Sequence, residues 1–146
     1  MQLLLYYQAE RSQAMQNEQA NNKKQIIDFS KCPSLYWSNT TRINYLQRRI
    51  IVHSLIYYKM NNSVIADKQF DAMCQQLVDL QNIVEHEEFR ETTYYYAMHD
   101  FDGSTGFHIP NRLTDYDVKY LTNIAEHVLD SYLRDQAIQA NVRGHK

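Results

Sequence analysis

The sequence predicts a mainly α-helical fold: an antiparallel hairpin of two helices and a third long helix, with one small β-hairpin as a minor β component. Three observations carry that prediction. Only 3 glycines and 2 prolines punctuate 146 residues, which favours helices over a strand-and-turn architecture. Apolar residues recur at helical spacing in three stretches, residues 42–60, 67–84 and 118–132. Between the second and third, residues 92–98 are β-branched and aromatic, which favours a short strand.

The elements follow in order. Residues 1–25 join a short apolar head to a Gln/Asn/Ala-rich stretch of good helix formers with little apolar stripe. That pattern predicts a helical arm that needs a partner surface, a route to self-association. Leu3 to Tyr7 is too short, and lacks the basic start, for a signal peptide or a membrane span. A single ligand-binding domain is expected over residues 26–138. It opens on an irregular segment pinned by Ile27, Phe29, Leu35 and Trp37.

Thr40 or Thr41 is a candidate cap for the first helix. Its stripe is Ile43, Leu46, Ile50, Ser54 and Tyr57, widened by Ile51, Leu55 and Tyr58, and Asn61-Asn62 ends it. Asp67 is placed to cap the second helix, which carries Phe70, Cys74, Leu77 and Val84 on one face with Met73 and Leu80 beside it. Glu85 to Glu91 reads as a solvated acidic helix end or loop. The strand over residues 92–98 pairs with Gly106–Ile109 across an Asp-Phe-Asp-Gly-Ser-Thr loop, and Pro110 closes the pair. Thr114 and Asp117 form a capping box for a last helix with Val118, Leu121, Ala125, Val128 and Tyr132 on its face, ending near residue 137. Residues 139–146 are expected to be a flexible tail.

Composition narrows the function classes. A net charge of -2, with basic pairs only at Lys23-Lys24 and Arg48-Arg49, disfavours a dedicated duplex-binding protein. Cys32 and Cys74 have neither metal-site nor CxxC spacing, which predicts reduced thiols in a cytoplasmic protein. The 12 tyrosines stand against 1 Trp and 5 Phe. Tyrosine buries area while keeping a polar tip, so it suits ligand pockets and subunit contacts as well as small cores. The paired or runs of tyrosines, Tyr57-Tyr58 and Tyr94-Tyr95-Tyr96, stand out.

Chemistry concentrates at the turn between the first two helices. Tyr57, Tyr58, Asp67, Phe70 and Asp71 converge there, with His53 on the helix face nearby. Aromatic faces beside a carboxylate pair suit a flat ring that is positively charged or donates hydrogen bonds. The plainer alternative is a capping Asp67 and aromatics that only fill the core. A second candidate is Asp102-Gly103-Ser104-Thr105-Gly106, where two glycines admit close backbone approach and hydroxyls can contact ribose or phosphate, with Arg112 as an anion partner. The same string also makes a hairpin turn. His99, Asp100, Asp102 and His108 invite a metal or hydrolase reading, without any His-x3-His helix spacing to support it.

The order Tyr-Tyr, Asn, Val-Ile-x-Asp, aromatic-Asp across residues 57–71 resembles the N-terminal nicotinamide-mononucleotide-binding segment of bacterial NAD-dependent DNA ligases, over roughly residues 42–80. It is more similar still to small ligase-related proteins of bacteriophage genomes, a likeness that takes in residues 100–110. The resemblance implies that Tyr57, Tyr58, Asp67, Phe70 and Asp71 contact the nicotinamide ribonucleotide end of NAD. Two positions depart from it: Phe70 stands where the ligases usually have Tyr, and Asn61-Asn62-Ser63 replaces an Asp-x-Pro turn. Adenylyl transfer needs the lysine of a Lys-x-Asp-Gly motif as nucleophile. The comparable tetrapeptide here is Asp100-Phe101-Asp102-Gly103, whose carboxylate repels a phosphate.

Together these features predict a non-enzymatic, homo-oligomeric binder of an NAD-derived nucleotide, with no cofactor, no metal, no membrane and no nucleic-acid partner. The resemblance implies a phage anti-defence sponge for an ADP-ribose or cyclic ADP-ribose type signal in the host cytoplasm. Two alternatives remain open at the level of sequence. One is a metal-assisted hydrolase of a nucleotide or cyclic nucleotide, working through the His99–His108 loop. The other is an interaction protein that engages a host protein.

Overall fold

Ser38 starts the first helix. In the computed structural model, which describes residues 37–144, the Ser38 hydroxyl oxygen accepts the Thr41 N–H at 3.2 Å. That satisfies one of the amides a helix start leaves open, so Ser38 is the cap rather than Thr40 or Thr41. The helix, α1, spans Asn39–Tyr58 and buries Ile43, Leu46, Gln47, Arg48, Ile50, Ile51, Val52, Ser54, Leu55 and Ile56. Such burial goes well beyond one stripe and makes α1 the central element of the core. Only its last turn emerges, with Tyr57 and Tyr58 exposed. Asn61 then takes a left-handed backbone (φ 51°), which Asn tolerates better than most residues, and the Asn62 N–H donates to the Ile56 carbonyl. Asn61-Asn62 therefore does end the helix.

The chain turns through residues 59–66 into α2, Asp67–Ile83. Met73, Cys74 and Leu77 enter the core, and Phe70, Leu80 and Val84 pack against it, so the face read from the spacing is the buried one. The cap differs from expectation. Ala66 occupies that position and its N–H donates to Gln69 Oε1 at 3.1 Å. Asp67 lies one residue inside the helix, where a carboxylate is favoured by the helix dipole and is not consumed as a cap.

No strand occurs among the described residues, and the expected β-hairpin is replaced by two short helices. After α3, His86–Arg90, come α4, Tyr95–Met98, and α5, Ile109–Arg112. The cause lies in α1. Asn44 Oδ1 accepts the Thr93 N–H at 2.9 Å and Gln47 Oε1 accepts the Tyr94 N–H at 3.2 Å. Gln47 Nε2 donates to Thr92 Oγ1, which itself donates to the Phe89 carbonyl. Side chains thus take two amides that a strand ladder would use, and Tyr94, Ala97 and Met98 go into the core at helical spacing. Gly106 and Ile109 form a turn instead of a second strand, and Pro110 falls in the first turn of α5, where its missing N–H costs nothing.

The last helix, α6, spans Asp115–Gly144. Thr114 Oγ1 accepts the Asp117 N–H at 3.1 Å, as a capping box requires. The return bond runs through Tyr96, whose hydroxyl donates to the Asp117 carboxylate and accepts the Thr114 N–H. Leu121 and Ala125 are buried, with Val118, Ile124, Val128 and Leu129 against the same core. Beyond residue 137, where the helix was expected to give way to a flexible tail, it continues to Gly144. No Pro or Gly interrupts residues 133–143, and their propensities favour the helix.

Contacts divide the chain into two units, Met1–Arg42 and Ile43–Lys146. The predicted arm over residues 1–25, Cys32, and the pins Ile27, Phe29 and Leu35 lie outside the described residues; Trp37 is buried. No helix among the described residues is long and apolar enough to cross a membrane.

Replacing Gln47 by Leu keeps the volume but leaves the Tyr94 amide without its acceptor. A buried amide stripped of its partner costs about 1–3 kcal/mol, so Gln47→Leu is expected to lower the urea midpoint by a corresponding amount, with the slope unchanged.

Candidate functional site

Asp67, Phe70 and Asp71 stand at i, i+3 and i+4 on α2, which puts them on one helix face. Opposite them, the last two turns of α1 present His53, Ser54, Tyr57 and Tyr58. Ser63, Val64 and Ile65 from the connection, and Ser104 and Thr105 from the loop after α4, complete the wall of a cleft of about 210 Å³.

The loop is held by its own side chains. Asp102 Oδ1 accepts both the Ser104 N–H at 2.9 Å and the Ser104 hydroxyl at 2.6 Å, a turn that Asp makes readily. Gly103 has φ 87°, where an L side chain is strained, and a Cβ there would lie 3.3 Å from Val78 Cγ2 on α2. Thr105 Oγ1 lies 3.2 Å from the Tyr58 hydroxyl and accepts the Phe107 N–H. Tyr58 also meets Phe107 edge-on, with ring centroids 5.2 Å apart, and Tyr57 edge-on at 4.8 Å. Tyr58 is therefore latched to the loop, while Tyr57 is the more exposed of the pair.

The cleft is acidic. None of its described lining residues is Lys or Arg. Burial, with the Arg49 guanidinium as a second cause, lowers the His53 pKa from 6.5 to about 4, so at neutral pH this imidazole adds no positive charge. Arg48, Arg49, Lys59 and Arg112 are engaged elsewhere. Arg49 donates to the Tyr45 hydroxyl and lies over its ring, Arg48 is buried with its guanidinium over Tyr120, and Lys59 reaches Asn111. Arg112 pairs with Asp100, and that bond holds the Asp100 carboxyl below its ordinary range.

Of the residues read from the sequence, His53, Tyr57, Tyr58, Asp67, Phe70, Asp71, Ser104 and Thr105 come together in the cleft. Asp102, Gly103 and Arg112 do not line it. Asp102 and Gly103 shape the loop from behind, and Arg112 is tied to Asp100 and the Ala97 carbonyl. Tyr94, Tyr95 and Tyr96 are structural: Tyr94 is buried, Tyr95 packs on Phe89 and His99, and Tyr96 bridges the α6 cap. Ser54 was read only as part of the α1 stripe; a lone hydroxyl between Ile50 and Tyr57 in that stripe was the signal that it faces something polar. Val64 and Ile65 entered the sequence reading only through the Val-Ile-x-Asp order, and Ser63 only through the turn that replaces Asp-x-Pro.

In chemical terms the cleft offers aromatic surface from Tyr57, Tyr58 and Phe70 and two carboxylate acceptors from Asp67 and Asp71. A planar ring that is neutral or cationic, with hydroxyl or amide donors, matches that set. Among the described residues, no three His, Cys, Asp or Glu side chains gather in a way that would hold a metal ion. Comparison of the chain with protein-family models, curated proteins and solved structures finds no match in any of the three.

Two outcomes follow. Because the folded His53 pKa lies below the unfolded 6.5, its contribution to stability is complete above 6.5 and is lost as pH falls towards 4. Urea midpoints of the wild type should decline across that window, and His53→Gln should flatten the upper part of the decline, above the carboxylate range. Burial, and secondarily Asp71, raise the Cys74 thiol to about 11. At pH 7.5, peptide-level mass spectrometry should find Cys74 unalkylated by iodoacetamide until the protein is unfolded.

Proposed function

We propose that this chain binds an NAD-derived nucleotide by its ribosylated-ring end, in the cleft between α1, α2 and the 102–105 loop, and holds it without chemical change. The observation that carries this reading is the convergence of Tyr57, Tyr58, Asp67, Phe70 and Asp71 on one cleft. Those are the positions at which the chain resembles the nicotinamide-mononucleotide segment of NAD-dependent ligases. Asp67, released from capping duty, is available to accept from a ribose hydroxyl or an amide.

Size and charge refine the reading. An apolar protein cavity of ~150 Å³ accepts a benzene ring, so a cleft of about 210 Å³ suits one substituted ring with its ribose at the mouth. It is too small for a whole dinucleotide. Phosphate inside would face Asp67 and Asp71 with no cation among the described lining residues, so the phosphates belong outside.

Chemistry on the ligand has little support from the loop. Asp100 is engaged by Arg112 and Asp102 by Ser104, and a histidine titrating near 4 is a weak base at neutral pH. Retention without turnover is the behaviour of a sponge for a linear or cyclic ADP-ribose type signal, and the phage anti-defence role is taken from the resemblance.

The test is release and identification. The purified protein is incubated with NAD, nicotinamide mononucleotide, ADP-ribose or cyclic ADP-ribose, desalted, heat-denatured, and the supernatant analysed by chromatography. Intact nucleotide supports retention, an altered nucleotide replaces it with catalysis, and no nucleotide from any of the four refutes binding. For the nucleotide retained, Tyr57→Ala and Asp71→Ala are each expected to cut the released amount at least tenfold while circular dichroism stays unchanged, since both side chains are exposed and outside the core.

A further inference from the structure

Ser54 is the one buried residue of the cleft lining, at 1% exposure, with every other lining side chain at least partly open to solvent. Its hydroxyl has no hydrogen-bond partner among the described residues. Most buried hydroxyls are paired, because leaving one unpaired is costly, and a serine inside a helix commonly bonds back to the preceding turn. Ser54 does not. The chain also keeps space for it: a Cβ on Gly106 would lie 2.1 Å from Ser54 Oγ and 3.1 Å from Ser54 Cβ. The backbone at Gly106 would admit alanine, since its φ is not in the left-handed region, but the added Cβ would displace Ser54 Oγ; alanine at position 54 would remove the unpaired group. Neither is present.

We propose that Ser54 is a specificity-determining residue of the cleft: its hydroxyl hydrogen-bonds a polar substituent on the bound ring, such as a carboxamide. The inference rests on the nucleotide-binding reading above and adds to it the group that distinguishes one ring from another. The Oγ lies in the closed wall against Gly106, so the bond forms when the hydroxyl turns to another staggered rotamer or the loop at residues 104–106 yields slightly. Phe70, 3.6 Å from the same Gly106 position, stacks the ring while Ser54 reads its edge. A ring with no polar substituent gains the stacking and leaves the hydroxyl unpaired. Discrimination of this kind arises from the unpaired group as much as from the bond that is lost.

Two probes separate these effects: nicotinamide riboside, and the ribosylpyridinium that lacks the carboxamide, each measured by calorimetry against wild type and Ser54→Ala. The wild type is expected to prefer nicotinamide riboside by about three- to tenfold, the yield of one neutral hydrogen bond. Ser54→Ala is expected to lose that preference, binding both probes alike, while its urea midpoint stays the same or rises. A stability gain paired with a loss of discrimination is the signature of a ligand-reading group, since a structural serine would lose stability. If Ser54→Ala keeps the wild-type ratio, Ser54 is not the reader, although ring binding stands. If the wild type binds neither riboside, Ser54 is not a carboxamide reader; the ring-binding reading itself is decided by the four-nucleotide release assay, since ADP-ribose and cyclic ADP-ribose carry no nicotinamide.

Discussion

The structure depends on a helix that is buried along most of its length and still carries polar groups inside. α1 has few faces left for solvent until its last turn, so everything else in residues 43–144 arranges itself around it. An all-apolar α1 would accept many neighbours in many registers. Gln47, fully buried, accepts from one backbone amide and donates to one hydroxyl, and Asn44 accepts from the adjacent amide. A buried amide is tolerated only where these partners sit, so it specifies one placement of residues 92–94 and rejects the rest. From that anchor α4 begins, and the loop that closes the cleft emerges from α4.

The cleft is a consequence of where α1 stops being buried. Tyr57 and Tyr58 are the first residues past the core, and the left-handed Asn61 brings α2 back close enough for Asp67, Phe70 and Asp71 to face them. The far wall comes from the 102–105 loop, tied down on one side by Gly103 against α2 and on the other by Thr105 at the Tyr58 hydroxyl. Side chains at such a junction are positioned by two helices and a loop latched to both, which is the kind of preorganisation that lowers the cost of binding. The charge of the site follows from the same layout. Each arginine near it is drawn towards an aromatic ring or a carboxylate elsewhere, which leaves the carboxylates of α2 to set the sign.

Much of this was legible in the sequence, and the misses have a common cause. The three long helices, the turn at Asn61-Asn62 and the Thr114 cap were readable because each depends on residues close together in the chain. The strand over residues 92–98 was misread because its β propensity is real but weak, and a distant pair of amides on α1 outweighed it. Its buried positions, Tyr94, Ala97 and Met98, already followed a helical period that short length disguised. Most of the cleft was legible by the same rule of local order: Tyr57-Tyr58 and Asp67-Phe70-Asp71 are short-range patterns. Arg112 was misassigned because which carboxylate an arginine finds is a tertiary fact, here Asp100. Ser54 was visible as a polar break in an apolar stripe, but what its hydroxyl packs against is Gly106, far away in the chain.

Sequestration, as proposed, would set a demand that the cleft meets only in part. Nanomolar retention corresponds to about 12 kcal/mol of binding free energy. Ligands of drug size return about 0.3 kcal/mol per heavy atom, so that affinity draws on the whole of a nucleotide and not on one ring. A cleft of about 210 Å³ with carboxylates at its side has room, on the proposed reading, for a ring and part of its ribose. The phosphates and the remaining sugar must then find their contacts beyond it, on a surface of opposite charge. On the proposed reading the cleft would select the ligand, and the affinity a sponge requires would be completed by surface outside the residues that line it.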